Sequence, residues 1–430
     1  MSSPSPISTH PSCAADERLR TDAPGLTRLG APRLDMIDAL RGLVIVLMVL
    51  DHVRDYFHRL AFEFNPLSLD QTTPILFATR WVTHLCAPSF VFLAGVSIFL
   101  QSANGKPRAQ LSRFVLSRGL WLILLELTVI GFGFQFLWPF VFLQVIWAIG
   151  AGMVVLAALV WLPRTAVLML GAIIVAGHGL LAGFDSSALG AWAPLWTLAM
   201  RPGPLPGIDS FVAYPAIPWI GIMLLGYGVG PLFLQQAPAR RRALTTLALS
   251  MLSAFVVLRG FTAFGDPKPW KRMDDPWFDA MSFINVSKYP PSLLYVLVTI
   301  GVSLLLMLLL ERLLSLRDSP RVSAAKWLWA ANAGLLDVLL AFGRTPLFTY
   351  LLHIYLVHGS AMLLGGASGI PVQAFAGIIG NGKRMLEAGW GVSLPTVYLI
   401  WLLVLAALYP LSRAFAGLKR RRRDRWLSYL

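Results

Sequence analysis

The stretch that decides the fold is RLDMIDALRGLVIVLMVLDHVRDYFH, residues 33–58. Asp38 and Arg41 precede its apolar run, and a charged cluster beginning at Asp51 and His52 follows it. In a helix the step from Arg41 to His52 rises about 16 Å, roughly half the hydrocarbon thickness of a bilayer, and returns to within about 20° of the same face. Because ionisable groups inside a membrane are costly and usually face a protein interior, this face is predicted to be functional.

The amino-acid composition is that of a membrane protein. Of the 430 residues, 57% are hydrophobic and 13% are charged, whereas soluble domains have about 45–50% apolar and about 25% charged residues. The net charge of +15 does not indicate nucleic acid, because the basic residues lie in short loops between apolar runs, as the positive-inside rule describes. We therefore predict an all-α, polytopic bundle of membrane helices, surrounded by lipid and without a nucleic-acid partner.

Ten apolar segments can each supply the roughly 20 residues that a membrane-spanning helix needs. Basic residues precede the first segment and follow every even-numbered one, which predicts that both termini are cytoplasmic. Residues 322–343 are ambiguous, since they fit either a cytoplasmic interfacial helix or an eleventh span that would reverse the C-terminus. The ten segments are residues 38–57, 77–101, 114–134, 139–161, 165–184, 212–234, 243–264, 291–313, 345–364 and 395–416.

Three regions follow from this pattern. Residues 1–32 are rich in Ser, Pro, Thr and Ala and lack a hydrophobic signal core, so they are predicted to be a disordered cytoplasmic leader. Residues 33–417 are the predicted transmembrane domain, and residues 418–430 are a basic cytoplasmic tail. The loops predicted to lie outside and to pack over the spans are residues 185–211, 265–290 and 365–394.

His52 is the first candidate for chemistry. It neighbours Asp51 and lies one turn before Asp55, and both carboxylates are able to orient its ring and favour proton uptake by its basic nitrogen. In the second predicted span His84 comes from the outer side at a similar depth, so the two imidazoles are predicted to meet across a helix pair. The alternative role of each histidine is that of a hydrogen-bonded packing residue.

The segment GRTPLFTYLLHIYLVHG, residues 343–359, carries another histidine near mid-membrane. His353 lies about 13 Å beyond Arg344, which marks the cytoplasmic edge, and Tyr350 lies one turn before His353. A buried histidine needs hydrogen-bond partners, and a tyrosine or a carboxylate of another helix is able to supply them. His353 is therefore a candidate catalytic residue as well.

Asn285 and Lys288 precede a Pro290–Pro291 break at the start of the eighth predicted span. They are predicted to lie at the outer membrane surface, where fixed turns commonly frame a substrate mouth. The alternative is an interface anchor built from tryptophan and lysine, and both roles stay open.

The sequence predicts no metal site. The histidines are scattered over different spans, Cys86 is the only cysteine at membrane depth, and neither GxSxG nor HExxH occurs. Glu126, in the middle of the third span, is predicted to form a structural ion pair with Arg118 or a neighbouring helix, and His178 is predicted to be a packing residue. The histidine and carboxylate set therefore points to general-base chemistry on a hydroxyl or amine without a metal.

The order of these segments resembles a known family. Asp38, Arg41 and His52 match, in type and spacing, the opening helix of the membrane acyltransferases. The segments DHVRDYF, THLCAPSFVFLAGVSIFL, YPAIPWIGIMLLGYGVG, KYPPSLLY and GRTPLFTYLLHIYLVHG are similar to a bacterial family that carries the catalytic-domain type of heparan-α-glucosaminide N-acetyltransferase. The resemblance covers nearly the whole chain from Arg33 to about residue 415.

The resemblance implies a multi-span acyltransferase, an O- or N-acetyltransferase of a bacterial inner membrane. It would move an acyl group from a cytoplasmic donor, acetyl-CoA in the best-known members, to a sugar or glycan on the far side. In the lysosomal enzyme the position of His52 looks like an asparagine and the key histidine lies in the first luminal loop, where His58 is the nearest counterpart here. The base is thus His52 or His58. The acceptor expected of a bacterial-type chain is a cell-envelope glycan or a lipid-linked sugar.

A polyanionic donor such as CoA needs cationic surroundings at the inner face. The arginines placed to supply them are Arg41, with Asp38 beside it, Arg113, Arg118 and Arg344. The donor is expected to be a co-substrate, with no tightly bound cofactor.

Two alternatives stay open. The histidine either takes the proton of the acceptor during direct transfer or first becomes acylated itself. The rival class is a transporter or flippase of an envelope glycan or lipid precursor, in which buried charge lines a substrate path, although no inverted repeat is evident in the sequence. A homo-oligomer is compatible with either class.

Overall fold

In the computed structural model the chain is described from Leu34 onward, except residues 263, 318–325, 423, 425, 426, 428 and 430, and for residues 326–332 only the backbone is described. The predicted leader, residues 1–32, lies outside the described residues, as does part of the predicted basic tail.

Helices make up most of the described chain. The α-helices are α1 (Asp35–Phe57), α2 (Pro74–Val82), α3 (Cys86–Ala103), α4 (Arg108–Leu125), α5 (Gly131–Gln135), α6 (Val145–Leu159), α7 (Arg164–Gly177), α8 (Ala193–Ala199), α9 (Ala216–Val229), α10 (Ala237–Phe261), α11 (Pro276–Ile284), α12 (Leu293–Arg317), α13 (Lys326–Arg344), α14 (Pro346–Ala367), α15 (Ile378–Asn381), α16 (Lys383–Glu387) and α17 (Leu394–Arg421).

Shorter helical turns join several of these helices. A 3₁₀ turn at Thr83–Leu85 connects α2 to α3, and a π-helical turn at Glu126–Ile130 connects α4 to α5. The other 3₁₀ segments are His178–Leu181, Ser186–Trp192, Gly230–Leu234 and Val372–Phe375.

Strand structure in the described residues is confined to a two-stranded parallel sheet between β1 (Val141–Leu143) and β2 (Ser210–Val212). In its register Val141 lies beside Ser210 and Leu143 beside Val212. The sheet ties the segment that precedes α6 to the long connection between α8 and α9.

Proline and capping residues set where several helices begin. Thr73 accepts a hydrogen bond from the backbone of Leu76, and Pro74 occupies the first turn of α2. Pro346 likewise occupies the first turn of α14. A proline fits the first turn because its missing N–H would have no partner there.

The protein is an integral, multi-pass membrane protein. Among the described residues, eight helices are long and apolar enough to cross a membrane. They are Pro74–Ala103, Arg108–Gln135, Arg164–Leu181, Ala216–Leu234, Ala237–Phe261, Leu293–Arg317, Pro346–Ala367 and Leu394–Arg421, each named with its short 3₁₀ or π turns.

The all-helical prediction is confirmed, whereas the count of ten spans is not. Two of the ten predicted segments fall outside the eight: α1, which carries charges at both ends, and α6, which has 15 residues. The ambiguous segment, residues 322–343, forms much of α13, which is not among the eight either.

Helix α1 lies at the centre of the bundle. It packs against α3, α12, α13, α14 and α17, and its charged residues Asp38 and Arg54 are buried together with most of its apolar ones. A helix enclosed on so many sides holds its polar side chains within protein and away from lipid.

Glycines allow α1 and α13 to cross at close range. A Cβ atom at Gly42 would collide with the backbone carbonyl of Leu339, and one at Gly343 would collide with the carbonyl of Asp38. The order of these contacts shows that the two helices run antiparallel. Helices α3 and α9 meet in the same manner at Gly95 and Gly226. Small residues permit such backbone approach between membrane helices, whose association depends on packing.

We expect Gly343→Ala to destabilise the protein, because the added methyl group meets backbone and the two helices must move apart. Overpacking of this kind typically costs about 1–3 kcal/mol. The matched control is Gly334→Ala on the same helix, where no atom lies within 4 Å of the added methyl group. There alanine should be neutral or slightly stabilising, since it favours helix over glycine.

The measurement is the thermal unfolding midpoint of both variants in the same detergent. Equal midpoints for Gly343→Ala and Gly334→Ala would contradict the close crossing.

Candidate functional site

One end of the bundle is rich in cations, and we call it the basic end. There Arg344 pairs with Asp35 at 3.1 Å, and Arg240 and Arg241 both pair with Glu311. It is the end at which α1 begins and the end that the loop charges predict to be cytoplasmic.

A cavity of about 270 Å³, the basic-end cavity, lies among α1, α3, α4, α6 and α14. Its wall is largely apolar, and the polar side chains in it are Arg41, Ser97, Gln101, Arg118 and Tyr350. Two of the arginines predicted to bind the donor therefore share one cavity.

Arg41 is fixed in the wall of this cavity by contacts with α3. Its Nη2 atom donates to Ser97 Oγ at 2.5 Å and to the Leu93 carbonyl at 3.4 Å, and Nη1 lies 3.4 Å from Asp38 Oδ1. Asp38 thus belongs to the site as the partner that orients Arg41.

A second, smaller cavity of about 30 Å³ lies farther along α1, and we call it the His52 cavity. The polar side chains in its lining are Asp51, His52, Thr83, Gln144, Tyr214, Lys288 and Tyr350. Phe90, Val145 and Tyr350 line both this cavity and the basic-end cavity. The two cavities therefore adjoin, and together they follow one face of α1 from Arg41 to His52.

The ring of His52 is hydrogen-bonded to the ring of His353. His52 Nδ1 lies 2.7 Å from His353 Nε2, and the rings stack with centroids 5.0 Å apart. On its other side, His353 Nδ1 lies 2.5 Å from the backbone carbonyl of Tyr350. His353 is fully buried, so these two contacts hold its ring in place.

The carbonyl decides which nitrogens carry protons. A carbonyl oxygen only accepts, so His353 Nδ1 must donate to it, which leaves Nε2 of the neutral ring as an acceptor. His52 Nδ1 then donates to His353 Nε2, and the lone pair of neutral His52 is on Nε2. A neutral His52 with this tautomer is chemically able to accept a proton at Nε2, and the residue lines the His52 cavity.

The carboxylates that we expected to orient His52 are bound to arginines instead. Both oxygens of Asp51 accept from Arg80 Nη1, at 2.9 and 2.8 Å, and Asp51 also lies 3.0 Å from Arg54. Asp55 pairs with Arg54 at 2.5 Å. Within the described residues neither carboxylate hydrogen-bonds the His52 ring, because a buried carboxylate binds the strongest available donor, a guanidinium.

The predicted meeting of His52 and His84 is also wrong. His84 is buried beside Tyr295, with ring centroids 5.5 Å apart, and its Nδ1 lies 3.2 Å from the Arg80 carbonyl. It does not line the His52 cavity. The 3₁₀ turn at the start of α3 directs it toward α12 and away from α14.

His58 lies just beyond the end of α1, where it forms a bridge with Val392. Burial, together with the nearby cations Arg54 and Arg59, lowers the pKa of His58 to about 4. It does not line the His52 cavity, so of the two histidines that the resemblance left as the base only His52 does.

The remaining predicted binding residues divide into two groups. Lys288 lines the His52 cavity, with its ammonium 5.0 Å from the Tyr289 ring centroid and 5.9 Å from that of Tyr214. Asn285 instead donates to the Leu67 carbonyl and fixes a loop. Arg113 is exposed and Arg344 pairs with Asp35, and neither lines the basic-end cavity.

A third cavity, of about 320 Å³, lies at the end opposite to the basic end. His178, Trp196, Arg201 and Tyr289 are among its lining residues, so His178, expected only to pack, borders a cavity. The Tyr289 ring contacts that of Tyr214 with centroids 5.4 Å apart. This tyrosine pair, with Lys288, separates the opposite-end cavity from the His52 cavity.

The sequence interpretation missed Arg80 and Gln144. Arg80 lies within the second predicted span, and Gln144 is a single amide in an otherwise apolar predicted span. A polar residue at that depth is a signal of function in its own right and would have identified Gln144.

Glu126 does have a partner at a neighbouring helix, but the contact is a hydrogen bond with the backbone and not the predicted ion pair. Its Oε1 accepts from the backbone N–H of Gln144 at 2.8 Å, at the start of α6. Among the described residues no group of three His, Cys, Asp or Glu side chains is arranged to hold a metal ion.

The comparison with known proteins agrees with the resemblance. Residues 33–265 match a protein-family model described as heparan-alpha-glucosaminide N-acetyltransferase, catalytic. No curated protein matches the chain. The matched region includes α1 to α10, and therefore Arg41, His52 and Gln144, whereas α14 follows it. Because the match spans more than half of the 430 residues, the protein belongs to the heparan-α-glucosaminide N-acetyltransferase catalytic-domain family.

Proposed function

We propose that this membrane protein transfers an acetyl group from acetyl-CoA, bound at the basic end, to a sugar hydroxyl or amine that arrives from the opposite end. Its family implies acetyltransferase activity. The observation that carries the proposal is the hydrogen bond between His52 and His353, because His52 lines the small cavity that adjoins the basic-end cavity containing Arg41.

The basic-end cavity suits the donor. Arg41 and Arg118 supply positive charge for the phosphates of CoA, and guanidinium groups bind phosphate oxygens well because they donate in a planar fork. The apolar remainder of the wall suits the pantetheine arm. The thioester then extends past Tyr350, the residue common to both cavities, toward His52.

His52 Nε2 acts as the general base. It takes the proton of the acceptor as the acceptor's oxygen or nitrogen attacks the thioester carbonyl carbon, and the C–S bond then breaks. The sulfur leaves with the electron pair and receives that proton from His52. Throughout, His353 accepts from His52 Nδ1 and keeps the ring aligned, while Asp51, one residue before His52, adds negative charge beside the imidazolium.

The acceptor approaches through the opposite-end cavity. Its aromatic side chains and Arg201 are suited to a polar, sugar-like molecule, and the Tyr214–Tyr289 pair must move for the acceptor to reach His52. A cell-envelope glycan or a lipid-linked sugar fits this route. In the two-step variant His52 is itself acetylated first, which uses the same cavities.

A transporter remains the second candidate, because cavities at both ends with a narrow middle also suit alternating access. It differs from the proposed enzyme in needing no CoA thioester. Binding of acetyl-CoA therefore separates the two functions.

We expect His52→Gln to lower kcat for acetyl transfer by about 10²- to 10⁴-fold, because the general base is lost while the size of the side chain is kept. The readout is transfer of label from radiolabelled acetyl-CoA to glucosamine as a trial acceptor. His58→Gln and His84→Gln are the matched controls, since neither residue lines the His52 cavity. Loss of transfer in His58→Gln with transfer retained in His52→Gln would assign the base to His58.

We expect Arg118→Gln to weaken acetyl-CoA binding by about 10- to 100-fold, since a hydrogen bond to a charged group contributes about 1.5–3 kcal/mol. Arg312→Gln is the control, because Arg312 is an exposed arginine near the end of α12 and does not line the basic-end cavity. Isothermal titration of the purified protein measures both. Equal affinities of the two variants would contradict the donor site, and no binding to wild type would favour the transporter.

A further inference from the structure

Two buried hydrogen-bond donors lie beside His52 without partners. Within the described residues neither the hydroxyl of Tyr350 nor the Nε2 atom of Gln144 forms a hydrogen bond. Both side chains are buried, with 4% and 9% exposure, and both line the His52 cavity. Buried polar groups nearly always have a partner, and leaving a donor unpaired is costly, so two such donors in one small cavity call for an explanation.

The backbone positions of both residues are tightly held. Gln144 lies at the start of α6, where its N–H donates to Glu126 Oε1 at 2.8 Å and its carbonyl accepts from Ala148. Glu126 begins a π-helical turn, a feature that occurs often at functional sites. The carbonyl of Tyr350 accepts from His353, and the two rings contact at 5.3 Å. The helical turn that orients the histidine pair therefore also places the tyrosine.

Other unpartnered buried donors do not share this location. Trp121, Trp147 and Trp219 each have an unpaired indole N–H within the described residues, yet none of them lines the His52 cavity. The ammonium of Lys288 does line it and lies near the tyrosine rings at the far side. Tyr350 is the donor at the junction, because it lines the basic-end cavity as well.

We propose that Tyr350 Oη and Gln144 Nε2 bind the carbonyl oxygen of the donor's acyl group and stabilise the negative charge that develops on it. This inference rests on the proposed function. A carbonyl oxygen has two lone pairs and accepts from both donors at once. The cavity, at about 30 Å³, has the volume of one water-sized group, which is the size of that oxygen.

The two donors act without giving up their protons. When the acceptor attacks, the π electrons of the carbonyl move to its oxygen, where Tyr350 and Gln144 hydrogen-bond the charge. The electrons return as the C–S bond breaks, and the proton on His52 passes to the departing sulfur. Preorganised donors of this kind favour the transition state, because charge at the oxygen is larger there than in the substrate.

Binding of two CoA analogues tests the proposal without an acceptor. The first is the ketone analogue of acetyl-CoA, in which a methylene group replaces the thioester sulfur, and the second is S-ethyl-CoA, which lacks the carbonyl. Wild type should bind the ketone about tenfold more tightly, as expected for hydrogen bonds to one carbonyl. In Tyr350→Phe with Gln144→Met this preference should vanish, while S-ethyl-CoA binds as before.

The matched control is Tyr355→Phe on the same helix. Tyr355 donates to the Val129 carbonyl and does not line the His52 cavity, so the variant should keep the wild-type preference. Turnover gives a second readout: with acetyl-CoA and glucosamine, Tyr350→Phe should lower kcat by about 10²- to 10³-fold with little change in the KM of acetyl-CoA. If the double variant fails to fold, Tyr350→Phe alone, which removes one oxygen atom, carries both measurements.

The outcomes are distinguishable. An unchanged preference for the ketone in Tyr350→Phe and in the double variant overturns the carbonyl site and leaves the donor function standing. Equal binding of both analogues to wild type overturns it as well. If wild type binds neither analogue nor acetyl-CoA, the proposed function fails, and the carbonyl site fails with it.

Discussion

The hydrogen bond between His52 and His353 joins residues that are 301 positions apart, and the candidate site depends on it. It requires α14 to lie against α1 at one position along the axis of α1. The preceding helix sets that position, because α13 crosses α1 at Gly42 and Gly343 and only Thr345 separates α13 from α14. A backbone contact between helices thus determines where an imidazole on α14 meets an imidazole on α1.

Features that arise within one helix could be predicted from the sequence. The spacing on α1 placed Arg41 and His52 on one face, and each of them lines one of two adjoining cavities. The turn from Tyr350 to His353 was equally local, and it supplies the carbonyl that fixes the tautomer. The all-helical, multi-pass fold followed from apolar length alone, whereas the number of spans did not, because α1 is charged and α6 is short.

Partners from distant parts of the chain could not be predicted in this way. Asp51 precedes His52 in sequence, but adjacent residues of a helix point about 100° apart and do not face each other, so Asp51 binds Arg80 of α2. His84 and His353 were both expected at the depth of His52, and only the order of helix packing selects between them. Gln144 is placed by Glu126 and the strand before α6, which no periodicity in the sequence reveals.

The sizes of the three cavities are consistent with the proposed function. A polyanionic donor and a polar acceptor each need room and solvation, and cavities of about 270 and 320 Å³ lie toward opposite ends of the bundle. Between these two cavities lies the His52 cavity of about 30 Å³, with Tyr350 on one side and Tyr214 and Lys288 on the other. An acetyl group is far smaller than either substrate, and in the proposed reaction it is the only group that crosses from the donor side of the His52 cavity to the acceptor side. A space this small excludes most water, so the local dielectric constant is low and hydrogen bonds at the reacting carbonyl are strengthened, and the same narrowness would keep ions from crossing the membrane.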